Sequence, residues 1–281
     1  MPTLTGCTAI LLALLLSCCS KSQADVIGFD IQLSLTGFTA SQEAIFEAAA
    51  TTWESYIYGY QDNLSDTTVQ ITGTSTAIDG AGGTLGSAGP TSAKRLIGGN
   101  FLYTETGSMS FDSADVAALE ASGLLSDVIL HEMAHVLGIG TLWSSAGIGL
   151  PGYQELYVSG TGQYTGAAAL SACQTEFNQP SATFVPVEIG GGAGTANGHW
   201  DEVDGGASPT GIVSIFNGQD FQNELMTGWI GSSTFISTVT LGGFTDLGYL
   251  VNTVPEPGPI MFCSLIAVAA TVRTMRRRSR R

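Results

Sequence analysis

Basic side chains are what this sequence most lacks. Its 281 residues hold 9 Lys and Arg against 24 Asp and Glu. Six of the nine (Arg273, Arg276, Arg277, Arg278, Arg280, Arg281) fall in the last nine positions, and Lys21 lies near the start. Residues 25–258 therefore carry only Lys94 and Arg95 against all 24 acids, a net charge of −22. Such a body has no patch to meet a phosphate backbone, which excludes nucleic acid as a partner. Charge of either sign is scarce at 12%, whereas hydrophobic residues make up 44%. A chain this apolar can repay its ordering entropy, so disorder is excluded too. No repeat with a period of 20 to 50 residues is visible, which excludes solenoids. Of 5 cysteines, Cys7, Cys18, Cys19 and Cys263 lie near the ends, leaving Cys173 alone in the body. The body can form no internal disulfide and must rely on its core.

The ends carry their own signals. Ala9 to Leu16 is uninterrupted apolar, and Ser22-Gln23-Ala24 offers small residues at a cleavage site, so residues 1–24 read as a secretory signal peptide. Leu15 to Cys18 also fits a loose lipoprotein box, and the two processing routes stay open. At the other end, Pro255-Glu256-Pro257 precedes an apolar run from Ile260 to Val272 and the Arg cluster. This predicts a short transmembrane segment over 259–272 with its basic flank inside. The combination resembles the PEP-CTERM sorting signal of bacteria across residues 254–281. That resemblance implies a membrane-held tail and exosortase-type sorting machinery as a partner. The expectation is an exported protein, extracellular or at the cell surface, anchored in the bacterial membrane by its C-terminal segment.

Within the body, Ile27, Phe29, Ile31, Leu33 and Leu35 alternate with polar or small residues, which predicts a half-buried strand over 27–35. Residues 41–58 read as a helix capped by Thr39 or Ser41, with Phe46, Ala49, Trp53, Ile57 and Tyr60 on one stripe. Thr67 to Gly73 reads as a second strand, residues 78–90 as Gly-rich loop, Met109 to Phe111 as a short strand, and Ser113 to Ala121 as a helix. After residue 140 helical periodicity is almost lost, and a loop-rich half with short strands is expected.

Chemistry concentrates in Asp127-Val128-Ile129-Leu130-His131-Glu132-Met133-Ala134-His135-Val136-Leu137-Gly138, read as a helix capped by Ser126. His131 and His135 are four apart, so both imidazoles leave one face, as two ligands of a tetrahedral zinc require. Glu132 beside them suits a general base for a zinc-activated water. In a chain of this composition the H-E-x-x-H pattern arises by chance only roughly 0.001 times, which disfavours two incidental histidines. Gly138 stands where the helix must stop and turn. A catalytic zinc takes three protein ligands and one open position. Among 3 histidines the one left is His199; Glu155, Glu176 and Glu224 stay open as carboxylate alternatives.

These pieces, with His199-Trp200 and Asn223-Glu224-Leu225-Met226-Thr227-Gly228 following in order, resemble the leishmanolysin-like peptidases, metzincins whose third histidine is displaced by a long insertion. Position 141, where the compact metzincin pattern has its third histidine, is Thr141. Ser108 to Ala114 and Asp246-Leu247-Gly248-Tyr249 are similar to bacterial members. The resemblance spans roughly residues 100–252. It implies one catalytic Zn2+ on His131, His135 and His199, Glu132 as general base, and Met226 as the Met-turn residue. It further implies an α+β fold: an N-terminal subdomain (25–140) with a twisted mixed sheet and the active-site helix, and a loop-rich C-terminal subdomain (141–252) with the Met-turn.

The expected function is a zinc metalloendopeptidase acting on protein or peptide substrates laid along an edge strand. The rival is a non-catalytic surface adhesion or binding protein that keeps the fold. Other residues carry weaker readings. Asp127 either orients His131 or complements the helix N-terminus. Asp201, Glu202 and Asp204 form a solvated acidic loop or a Ca2+ site. Trp143 and Trp200 belong to the core by default, with a cleft as the alternative.

Overall fold

The structure, a computed structural model, describes residues 28–203, 206–231 and 233–252. It is a mixed α+β fold built on a four-stranded sheet. Strands β1 (Asp30–Thr36), β3 (Thr68–Thr76) and β5 (Tyr103–Asp112) run parallel, and β4 (Gly86–Lys94) closes one edge antiparallel to β5, in the order β1-β3-β5-β4. The alternation expected near the N-terminus holds: Phe29 and Ile31 are buried while Asp30 and Gln32 are exposed.

Helix α1 (Ala40–Tyr56) starts at Thr39. Its hydroxyl accepts from the Gln42 N–H while the Gln42 side chain accepts from the Thr39 N–H, which is a capping box. Phe46, Ala49 and Trp53 are buried on one stripe, and the chain then leaves the helix, so Ile57 and Tyr60 are buried from a short strand, β2 (Ile57–Tyr60). Phe46 meets Phe111 of β5 edge-on at 5.3 Å, and the Trp53 indole donates to the Leu130 carbonyl at 3.1 Å. Each such buried aromatic is worth about 1.5–3 kcal/mol of transfer free energy. Through them α1 and the sheet hold helix α3 (Leu125–Val136) in place. Strand β8 (Tyr249–Val251) returns to pair antiparallel with β2.

Several sequence expectations need correction. Residues 86–94, within and beyond the expected Gly-rich loop, form strand β4, because backbone pairing to β5 does not depend on side chains that favour strands. The short strand at 109–111 is the end of the ten-residue β5, and the helix expected from Ser113 is the shorter α2 (Val116–Ser122). The later half is loop-rich with two-residue strands, β6 (Gln163–Tyr164) and β7 (Val185–Pro186). It also holds two helices, α4 (Ala167–Glu176) and α5 (Thr238–Asp246), whose Ala, Gly and Thr content hid their periodicity.

The expectation of a membrane anchor is not met among the described residues. A spanning helix needs about 20 apolar residues, and among the described residues no helix is long and apolar enough to cross a membrane. The longest, α1, has 17 residues and carries Glu43, Glu47 and Glu54. The membrane as a partner and the surface-anchored localisation are corrected to the same extent. The signal peptide of residues 1–24 and the segment 259–272 with its Arg cluster lie outside the described residues.

Candidate metal centre

Helix α3 starts one residue before the expected Ser126 cap: Leu124 is its N-cap, and Ser126 turns its hydroxyl to Asp127. Most of its faces are apolar and buried, including Leu125, Val128, Ile129, Met133, Ala134 and Val136, so packing rather than a cap holds it. It stops where the sequence places Gly138, which has φ +117° and donates to the His135 carbonyl. Ile139 then donates back to Ala134, bringing its own carbonyl over His135.

Three imidazoles meet at the end of this helix. The Nε2 atoms of His131, His135 and His199 stand 3.0 Å from one another on all three sides. Their other nitrogens explain the contact. Nδ1 of His131 reaches the Leu225 carbonyl at 2.7 Å, Nδ1 of His135 the Ile139 carbonyl at 2.9 Å, and Nδ1 of His199 the Thr195 carbonyl at 2.7 Å. A carbonyl only accepts, so each Nδ1 carries the proton and each neutral ring turns a bare Nε2 lone pair inward. Three lone pairs converging at 3.0 Å repel and cannot hydrogen-bond to one another. A shared cation removes that repulsion.

The donor set fits zinc. Nitrogens on one tetrahedral zinc stand about 3.3 Å apart at ordinary Zn–N lengths, close to the spacing seen here. Metal ligation also needs neutral imidazoles. Burial pushes the His131 pKa down, and pushes His135 well down, where the neighbouring His131 and His199 add to the effect. Burial with the charge of His131 takes His199 to about 3. Among the described residues this is the sole group of three or more His, Cys, Asp or Glu whose ligand atoms lie within 4.8 Å of one another. It is a buried three-histidine cluster able to coordinate a metal ion.

The cluster lies on a cleft of about 630 Å³. Glu132 also lines it, 6% exposed, and accepts no hydrogen bond from the described residues; burial raises its pKa to about 8. Edge strand β4 contributes Gly86, Ser87 and Ala88 to the wall, and a Cβ at Gly86 would stand only 3.1 Å from the Glu132 carboxylate. Asp79, Gly83 and Thr84 lie above. Their loop is tied down by buried Asp112, which accepts from the N–H groups of Ile78, Asp79 and Gly80 at 3.2, 2.8 and 2.8 Å. No lysine or arginine of the described residues lines the cleft.

The other candidates separate clearly. Met226 is fully buried in a turn closed by the Thr227 N–H on the Glu224 carbonyl. Asp127 lines the cleft in the first turn of α3, and the His131 Nδ1 that one of its two readings had it orient meets the Leu225 carbonyl instead. None of the carboxylate alternatives joins the histidines. Glu155 holds Ser144, Ser145 and Ala146; Glu176 holds Ser214 and Thr238; Glu224 holds Met226, Ser237 and Thr240. Glu202 is buried rather than solvated, with its pKa raised to about 8 mainly by burial. Among the described residues it belongs to no group of three or more clustered ligand side chains, and Asp204 lies outside the described residues. Trp143 and Trp200 are core: they stack at 4.8 Å and are buried, and Trp229 lines the cleft instead. Cys173 is a buried thiol whose pKa burial raises to about 11.

Sequence reasoning missed the carbonyls of Leu225, Ile139 and Thr195, which choose the tautomers; no side-chain pattern signals them. It also missed β4 as a cleft wall. Compared with known proteins, the chain matches no family model and no curated protein.

Proposed function

We propose that this chain is a zinc-dependent metalloendopeptidase, a leishmanolysin-like member of the metzincins. One observation carries the proposal: three neutral histidines from two distant segments present bare Nε2 atoms to one point on an open cleft, with Glu132 beside them. Three protein ligands leave a tetrahedral metal one open position, and open sites are catalytic whereas structural ones are closed. The order of the helix motif, His199-Trp200 and the buried turn at Met226 supports the family reading.

His131, His135 and His199 would hold the ion, and a zinc bound there would supply a Lewis acid for water and for a peptide carbonyl. Glu132 moves the proton. It accepts no hydrogen bond from the described residues and burial raises its affinity for a proton, so it would take a proton from the attacking water and return it to the leaving amine. The edge of β4 suits a substrate in extended conformation, bound through main-chain hydrogen bonds and selected by side-chain pockets.

The test uses the full chain and its Glu132→Gln variant, assayed for zinc content and for hydrolysis of casein. The variant should keep stoichiometric zinc and lose at least about 10²-fold in kcat. Wild-type protein that binds zinc yet cleaves no peptide would return the non-catalytic binding protein as the better reading.

A further inference from the structure

Glu224 is 1% exposed and accepts four hydrogen bonds. One oxygen takes the Met226 N–H at 2.6 Å; the other takes the Ser237 N–H at 3.1 Å, the Ser237 hydroxyl at 2.8 Å and the Thr240 hydroxyl at 2.6 Å. Two partners are backbone donors and cannot reverse. The hydroxyls also accept one bond each: Ser237 accepts the Thr240 N–H as the cap of α5, and Thr240 accepts the Trp200 indole N–H at 2.9 Å. The two backbone partners can only donate and the two hydroxyls can donate, a set that favours the carboxylate, while burial works against it and raises the Glu224 pKa to about 7.

What this carboxylate holds is the backbone around the histidines. The next carbonyl, Leu225, is the acceptor that fixes the tautomer of His131. The one after it, Met226, accepts the N–H of Trp200, the neighbour of His199, at 2.9 Å. Trp200 is reached a second time through Thr240. Two of the three imidazoles are thus tied to one buried carboxyl group by short hydrogen-bonded paths.

We infer that Glu224 is a positioning residue for the metal centre, setting the geometry of His131 through Leu225 and of His199 through Trp200. The inference rests on the metal-binding reading of the three histidines and does not require peptidase activity. Glu176 provides the comparison. It is similarly buried and grips the N-terminal end of α5 through Thr238, but its other side-chain partner is Ser214, and among the described residues its carboxylate accepts no hydrogen bond from a segment that carries a histidine.

The experiment measures zinc affinity by chelator competition, the absorption spectrum of the cobalt-substituted protein, and Tm, for the full chain and its Glu224→Gln and Glu176→Gln variants. Glutamine at 224 turns an amide N–H2 against a donor. Its zinc dissociation constant should rise about 10- to 100-fold, the usual cost of losing a partner that orients metal ligands, with a changed cobalt spectrum. Glu176→Gln should lower Tm comparably yet leave affinity within about 3-fold and the spectrum unaltered, because it acts on the fold alone. Unchanged affinity in Glu224→Gln, or an equal loss in both variants, would overturn the inference. Should Glu224→Gln not fold, Thr240→Val decides, since it removes the hydroxyl that joins Glu224 to the Trp200 indole and leaves the Met226 and Ser237 bonds of Glu224 in place. A several-fold loss of affinity with an altered cobalt spectrum supports the role, and wild-type values on both refute it. Wild-type protein that binds no zinc would sink the metal reading itself, a different failure from zinc affinity that ignores Glu224.

Discussion

Gly140 lies against Gly198 so closely that a methyl group on the first would run into the carbonyl oxygen of the second. The pair joins the end of the two-histidine helix to the residue just before His199. Gly140 also has φ +74°, a conformation other residues adopt at a cost. The missing side chain of Gly140 thus lets the backbone carrying the third imidazole approach the other two, whereas a Cβ on Gly198 would meet nothing within 4 Å.

Gly140→Ala should therefore reach the metal centre, whereas an alanine with the same backbone cost elsewhere should not. Gly123 is the control, with φ +79° and nothing within 4 Å of its added Cβ. Both variants should lose about 1 kcal/mol or more from the left-handed backbone. Only Gly140→Ala should also weaken zinc binding, by about 10-fold or more, as displacement of orienting contacts does. Chelator competition on both variants checks this, and equal zinc affinity in the two would refute it.

His199→Ala should abolish most zinc occupancy, since two histidines alone leave the ion short of a catalytic ligand set. Glu155→Ala should leave zinc stoichiometric, because its carboxylate is spent on Ser144, Ser145 and Ala146. Metal analysis after dialysis separates the two, and retention of zinc by His199→Ala would disprove the triad.

In the metal-free protein Glu132 should make stability fall as pH rises. Its folded pKa, about 8, lies above the ordinary 4.5, so the folded state keeps a proton that the unfolded chain gives up. That contribution is complete below about pH 4.5 and is lost as pH climbs through 8. Glutamine needs no proton there. The stability of Glu132→Gln relative to wild type should accordingly grow across that window, by up to about 4 kcal/mol as an upper bound. Urea unfolding of chelator-treated protein at pH 5, 6.5 and 8 measures it, and a pH-independent difference between the proteins would contradict the cause.

Asp112→Asn should loosen the loop above the cleft without touching the metal. Its Oδ2 collects three backbone N–H groups of residues 78–80, and an amide nitrogen turned toward them would leave donors facing a donor. KM for peptide substrates should rise about 10-fold, with zinc affinity unchanged. Steady-state kinetics beside a zinc titration test it, and a loss of zinc in step with activity would place Asp112 in a different role.

Much of the site could be read from short-range pattern. His131 and His135 share a face because four residues nearly complete a helical turn, and Glu132 and Gly138 follow from the same register. The alternation around β1 and the Thr39 cap of α1 are likewise local, and both stand in the structure. Where local pattern was weak the reading failed. Strand β4, in Gly-Ser-Ala-Gly-Pro, has little strand preference of its own and exists because β5 offers it a partner edge. Helix α5 contains Gly242 and Gly243, which weaken any periodicity, and is held instead by its Ser237 cap and the carboxylates of Glu224 and Glu176.

By itself, then, the sequence determined the chemistry available: three histidines, one glutamate beside two of them, and a turn of glycine to end their helix. Composition and a 3.6-residue period need no third dimension to be read. Only the tertiary structure decided that His199, 64 residues beyond His135, closes the triangle at 3.0 Å. It alone also decided that the carbonyls of Leu225, Ile139 and Thr195 leave all three Nε2 atoms bare. Proximity across a chain is set by packing of the whole core, and a backbone carbonyl is the same in every residue, so neither leaves a mark in the order of side chains.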